Sequence, residues 1–176
     1  MRLVWLARVT VAVAAAGAMG GAVAQDMFRP AGQWQDDQGQ PYRLEALYGA
    51  PTVITMAYGA CRRVCSTSLR MMEQVQQLAD ARQLKLNFLV IGLDPRADRP
   101  EDWAQLRAER HLTRSNWHFL SGDEASTRQL ARRLGVHYWR YGEHTLHDLR
   151  IVLLSAQAQP LKTVDAFDQA AETLLP

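Results

Sequence analysis

Cysteine is scarce in this chain: Cys61 and Cys65 are the only two among 176 residues. One pair allows one intramolecular bridge, so this is not a disulfide framework and the fold must rest on an apolar core. Net charge is lacking too. Setting aside the first 24 residues removes two of the 20 basic residues and none of the 18 acidic ones, which leaves the remainder balanced. A general binder of nucleic acid needs an uncompensated basic face, so that class is excluded. No internal repeat or low-complexity block follows the first 24 residues. The N-terminal apolar stretch is short and broken by glycine, where a membrane span needs about 20 apolar residues. No cysteine follows that stretch, which speaks against a lipoprotein anchor.

What is present begins with a leader. Arg2 and Arg8 supply a positive end, Val9 to Ala16 an apolar core, and Ala22-Val23-Ala24 a small-x-small site before Gln25. Residues 1–24 are therefore predicted to be a cleaved signal for an exported, periplasmic protein, an uncleaved anchor facing the periplasm being the alternative. Residues 25–176 are expected to form one domain, since about 150 residues bury roughly two-thirds of the unfolded surface in a single core. Export also places the cysteines where a disulfide can persist.

Periodicity predicts the elements. Gln33 to Tyr42 reads as a hairpin turning at Gln38-Gly39, and Pro51 to Tyr58 as a strand. Beyond it Leu69, Met72, Val75 and Ala79 recur at helical spacing, which puts the cysteines at a strand–helix joint. Leu86 to Leu93 reads as a buried strand. Asp98 is expected to cap a helix with Pro100 in its first turn, and Trp117 to Leu120 to be a strand. Ser121 or Asp123 should cap a helix that ends at Gly135. Leu149 to Leu154 and Leu161 to Val164 read as strands, and Asp165 as the start of a last helix. The alternation gives a three-layer α/β domain.

Cysteines at i and i+4 lie on one helix face with β-carbons about 5 to 6 Å apart, wider than the roughly 3.5 to 4.5 Å of a disulfide. Setting Cys61 in the loop before the helix relieves that strain and leaves a reducible bridge. Helix N-terminal amides, Arg62 and Arg63 would favour thiolate there. Two thiolates can also hold a soft ion, and a Cys-Cys-His set suits Cu(I). The histidine candidates are His111, His118, His137, His144 and His147, with His147 in an irregular stretch just before a strand and His144 competing. The bland alternatives are an inert disulfide or two buried thiols, and a solvated loop histidine. Met71 and Met72 are read as core, Arg128, Arg132 and Arg133 as solvated, and Trp139 and Tyr141 as packing residues.

Four stretches go further: LEALYGAPTVITMAYGACRRVC (44–65), DPRADRP (94–100), WHFLSGD (117–123) and LARRLGVHY (130–138). Their order resembles the Sco/SenC family, copper-binding proteins of cytochrome c oxidase assembly, over about Trp34 to Leu174. The resemblance implies a thioredoxin-like three-layer domain with an N-terminal β-hairpin extension. It implies a copper ion held by Cys61, Cys65 and His147, since the family histidine stands five to seven residues before a strand core and counting back from Val152-Leu153-Leu154 reaches His147. It further implies a metallochaperone that delivers copper to the CuA centre of a terminal oxidase or a related cuproenzyme. The partners are then that copper-accepting subunit and a dithiol reductant, with no nucleic acid and no membrane span after the leader. The alternative is a thiol-disulfide reductase of the acceptor's cysteines, with Cys61 as nucleophile. Zinc is a third choice that lacks a fourth ligand.

The sequence departs from the family pattern at Arg62 and Ser66, where proline is usual, at Arg63, where an acid is usual, and at Leu146, where aspartate is common. Asp148 could orient the imidazole instead. No proline lies between Pro100 and Pro160, so the substrate-facing proline of thioredoxin-type reductases is missing, which favours copper.

Overall fold

The computed structural model describes residues 26–29, 32–59 and 64–176, with side chains throughout except at Val64 and Cys65. The leader expected at residues 1–24 lies outside the described residues.

Strands β1 (Trp34–Asp36) and β2 (Pro41–Tyr42) form the expected hairpin. Strand β3 (Thr52–Ala57) leads to helix α1 (Val64–Ala81). Strand β4 (Asn87–Gly92) precedes helix α2 (Pro100–Glu109), and strand β5 (Trp117–Gly122) precedes helix α3 (Glu124–Leu134). Strands β6 (Tyr138–Tyr141), β7 (His144–His147), β8 (Ile151–Leu154) and β9 (Pro160–Val164) follow. Seven strands make one sheet in the order β2-β1-β5-β4-β3-β8-β9, while β6 and β7 form a two-stranded sheet of their own. Strands β3, β4 and β5 run parallel, and β8 returns antiparallel beside β3.

Strand alternation splits the core between two faces. Val53, Phe88, Val90, Phe119 and Leu153 pack with Leu69, Met72 and Val75 of α1 and Trp103 of α2. Ile54, Leu89, Ile91, Leu120 and Val152 pack with Leu130, Ala131 and Leu134 of α3. Helices on both faces of the sheet make the three layers expected. Met71 and Met72 are buried in the first cluster, as their helical spacing with Leu69 and Val75 implied.

Local chemistry ends α3 where expected. Asp123 accepts the Ser126 N–H at 2.7 Å, and Gly135 takes a left-handed φ of 71° that terminates the helix. Asp123→Ala should therefore cost about 1 kcal/mol of stability, read by urea denaturation.

Three expectations are corrected. Asp165 starts no α-helix, because the Gln169 side chain accepts the Asp165 and Ala166 N–H groups and closes a local turn. Only a 3-10 turn, Ala171–Leu174, follows, and it docks Ala171 and Leu174 into the first cluster. The stretch before β8, expected to be irregular, is the β6–β7 hairpin, turning at Gly142 and Glu143. Trp139 and Tyr141, expected to pack, are 54% and 73% exposed, because alternation turns them with Leu146 away from the body while Thr145 and His147 point inward.

Candidate metal centre

The segment that carries the cysteines leaves the C-terminal end of β3, a central strand whose six residues are all buried. Cys61, Arg62 and Arg63 lie outside the described residues. Cys65 is the second residue of α1, in the turn whose backbone amides point N-terminally. The sequence placed the pair at this joint, and Cys65 lies at the start of α1.

Register brings the histidine hairpin to the same end of the sheet. Thr55 of β3 pairs with Ile151 of β8, and the strands are antiparallel. The chain that precedes Ile151 therefore lies where the chain that follows Ala57 goes. Two further contacts close this corner: Thr55 Oγ1 donates to the Arg150 carbonyl at 2.8 Å, and the Tyr58 hydroxyl reaches the Glu143 carbonyl in the hairpin turn at 3.4 Å.

His147 is the last residue of β7, in a strand and not in the loop expected for it. It is 7% exposed. Its Nδ1 lies 2.8 Å from the carbonyl oxygen of Asp148. A carbonyl can only accept, so Nδ1 carries a hydrogen, and in the neutral ring the lone pair then sits on Nε2, the form in which imidazole ligates metal. The orienting group is thus the Asp148 backbone. Its carboxylate, the partner suggested by sequence, instead binds the His137 ring at 3.0 Å and the His137 N–H at 3.1 Å. His144 stands three residues earlier, and alternation turns it outward to solvent. The two competing histidines therefore face opposite sides of the hairpin. His118 is held elsewhere, 3.2 Å from the Tyr42 hydroxyl beside the sheet edge.

Asp98 does not cap α2. Arg99 is the N-cap residue, and the Asp102 carboxylate reaches back to the Arg99 N–H. Asp98 is buried, and its Oδ1 accepts the Gly59 N–H at 2.7 Å while Oδ2 accepts the Asp94 N–H at 2.7 Å. Burial, with the Asp94 charge nearby, pushes this carboxyl up to about 7 against the pull of its backbone donors. Gly92 makes the room: a Cβ there would meet the Asp98 Cβ at 2.7 Å. Asp94 is buried as well and accepts the Thr145 hydroxyl at 3.1 Å. Neither contact was legible beforehand. Asp98 sits one residue before the N-cap, two before a proline that suits a first turn, and its sequence neighbourhood is equally that of a cap.

Among the described residues no three His, Cys, Asp or Glu side chains converge as a ligand set. A complete set at this corner needs the cysteines of residues 60–65. Two soft sulfurs with one imidazole nitrogen, the set expected from Cys61, Cys65 and His147, would suit Cu(I) or Zn(II) and not a hard cation.

Comparison with known proteins bears on the family and the fold. A SCO1 protein homolog of Bacillus subtilis is 25% identical over 89 residues, which is 51% of this chain and 46% of that protein. A candidate copper-binding protein of Stutzerimonas stutzeri is 28% identical over 103 residues, 57% of this chain and 48% of the other. The chain thus spans about half the length of these curated relatives. The crystal structure of Arabidopsis thaliana ScoI with copper bound superposes with a TM-score of 0.71 at 17% identity, over 81% of this chain and 89% of that one. At that identity the likeness establishes the fold, which is thioredoxin-like. The SCO1/SenC family model matches residues 24–175, through the cysteine joint, the Asp94–Pro100 loop and the hairpin alike, and on that match the chain belongs to the SCO1/SenC family.

Proposed function

We propose that this chain is an exported copper-binding protein that holds one copper ion through Cys61, Cys65 and His147 and passes it to the CuA centre of a terminal oxidase or a related cuproenzyme. The observation that carries the reading is His147. It is turned inward, with Nδ1 held by the Asp148 carbonyl, at the end of the sheet where β3 leads into the stretch of chain that carries the cysteines. Family membership and the copper named for the Arabidopsis and Stutzerimonas proteins support the choice of ion. Thiolates select Cu(I) among the metals an imidazole also accepts.

Copper is cargo here, and the transfer is ligand exchange without net redox. An acceptor thiolate adds on the open side of a three-ligand site, and one of this chain's ligands then leaves. Residues 25–176 serve as the single copper-carrying domain, and residues 1–24 as the export signal. Among the described residues no helix is long and apolar enough to cross a membrane.

The reduced chain should bind one Cu(I) and surrender it to a reduced acceptor domain with a paired-cysteine site, followed by metal analysis of both after separation. Copper content at background in the reduced chain would overturn the proposal.

One observation favours a second reading. Cys65 lies in the first turn of an 18-residue helix, where the helix field favours thiolate and hence thiol-disulfide exchange. Under that reading the chain reduces the acceptor's cysteines. Turnover of a mixed disulfide with the acceptor, by a chain that keeps no copper, would promote it.

A further inference from the structure

We infer that the loop from Asp94 to Asp98 positions the two arms of the copper site relative to one another, Asp98 holding the turn that leads to Cys61 and Asp94 holding the hairpin that carries His147. The inference rests on the copper reading above and adds residues outside the ligand set.

Three hydrogen bonds make a continuous path. The Gly59 N–H donates to Asp98 Oδ1, the Asp94 N–H donates to Asp98 Oδ2, and the Thr145 hydroxyl donates to Asp94 Oδ2. The path starts two residues before Cys61 and ends two residues before His147. On a strand a two-residue step keeps the same face, so Thr145 and His147 point into the corner together. Asp94, Asp98 and Thr145 are all buried, so these bonds are shielded from competing water. The second Asp94 oxygen accepts the Arg96 N–H at 3.1 Å, which fixes the carboxylate plane.

The device answers a need that the topology creates. Strands β6 and β7 pair with each other and form a sheet separate from the seven-stranded one. Backbone pairing therefore does not set the height of His147 over the cysteine joint. A cleft of about 420 Å³ lies beside the hairpin and the loop, lined by Asp94, Arg96, Tyr138, Arg140 and Thr145 among others, and the buried Thr145–Asp94 bond joins the two elements at its wall. Ties at the base of this corner include Thr55 Oγ1 to the Arg150 carbonyl at 2.8 Å and the Tyr58 hydroxyl to the Glu143 carbonyl at 3.4 Å.

The test uses the full chain, reduced and loaded with copper. Cu(I) affinity is measured by competition with a chelator of known strength, and the Cu(II) form is read by paramagnetic resonance and by its thiolate-to-copper absorption. Thr145→Val keeps the shape and removes the donor. It should bind Cu(I) about 10- to 100-fold more weakly, the range found when a residue that orients a ligand is lost. Imidazole nitrogen coupling should fade while the thiolate absorption persists, and Thr145→Ser should restore both. Asp94→Leu keeps the approximate shape and can accept from neither Arg96 nor Thr145, so it should weaken binding in the same direction even if Thr145→Val does not fold. Wild-type affinity and nitrogen coupling in Asp94→Leu, or in Thr145→Val, overturn the positioning role and leave the copper reading standing. Failure of the wild-type chain to bind copper sinks the copper reading, and this inference with it.

Discussion

His147→Ala lowers the Cu(I) affinity of the reduced chain by more than about 100-fold, and Cys61→Ala or Cys65→Ala abolishes stoichiometric binding. Loss of a group that merely orients a ligand costs about 10- to 100-fold, so loss of the ligand itself should exceed the upper end of that range. The cysteines are expected to matter more, because softness resides in the thiolates and a lone sulfur with an imidazole leaves the ion two-coordinate. His144→Ala is the informative companion. Its side chain is turned to solvent on the other face of β7, and its removal should leave affinity unchanged. Chelator competition on the four variants decides the matter. Full retention by His147→Ala, or loss in His144→Ala, would move the ligand role away from the inward face of the hairpin.

Stability should fall as pH rises from 5 to 8, by roughly 3 kcal/mol from Asp98 alone. The folded protein moves this carboxyl from its ordinary 3.8 to about 7, chiefly through burial and secondarily through the charge of Asp94. Between those values the folded chain holds a proton that the unfolded chain has released, so unfolding becomes easier with rising pH at about 1.4 kcal/mol per unit, levelling off above 7. The sign is opposite to that of a salt-bridged carboxylate, whose contribution is lost towards acid. Asp98→Asn cannot ionise and should flatten the slope across this window. Urea denaturation of both proteins at pH 5, 6, 7 and 8 measures the difference. Parallel curves would mean that Asp98 stays charged in the folded state, held by the Gly59 and Asp94 N–H groups against the cost of burial.

Much of the scaffold is written locally. A β-branched run gives β3, recurrence at three and four residues gives α1, and an acid followed eleven residues later by a leucine-glycine step gives α3 with its cap and its stop. Such patterns are legible because a helix or a buried strand must show its period to the core. The β6–β7 hairpin shows the reverse pattern: its large apolar residues, Trp139, Tyr141 and Leu146, face outward, and a threonine and a histidine face in. Read by hydrophobicity it looked irregular, and its aromatics looked like core.

The sequence by itself determined the elements from the first hairpin through α3 and the last two strands of the main sheet, the place of the cysteine pair between a strand and a helix along the chain, and the family. Only the tertiary structure decided which histidine turns inward, that the Asp148 carbonyl and not its carboxylate orients the ring, and that Asp98 is a buried tie and not a helix cap. The reason is physical. Propensity and period are properties of neighbours along the chain, whereas a ligand's facing and a carboxylate's burial depend on segments some 40 to 50 residues away, such as Gly59 against Asp98 and Thr145 against Asp94, which meet only after folding.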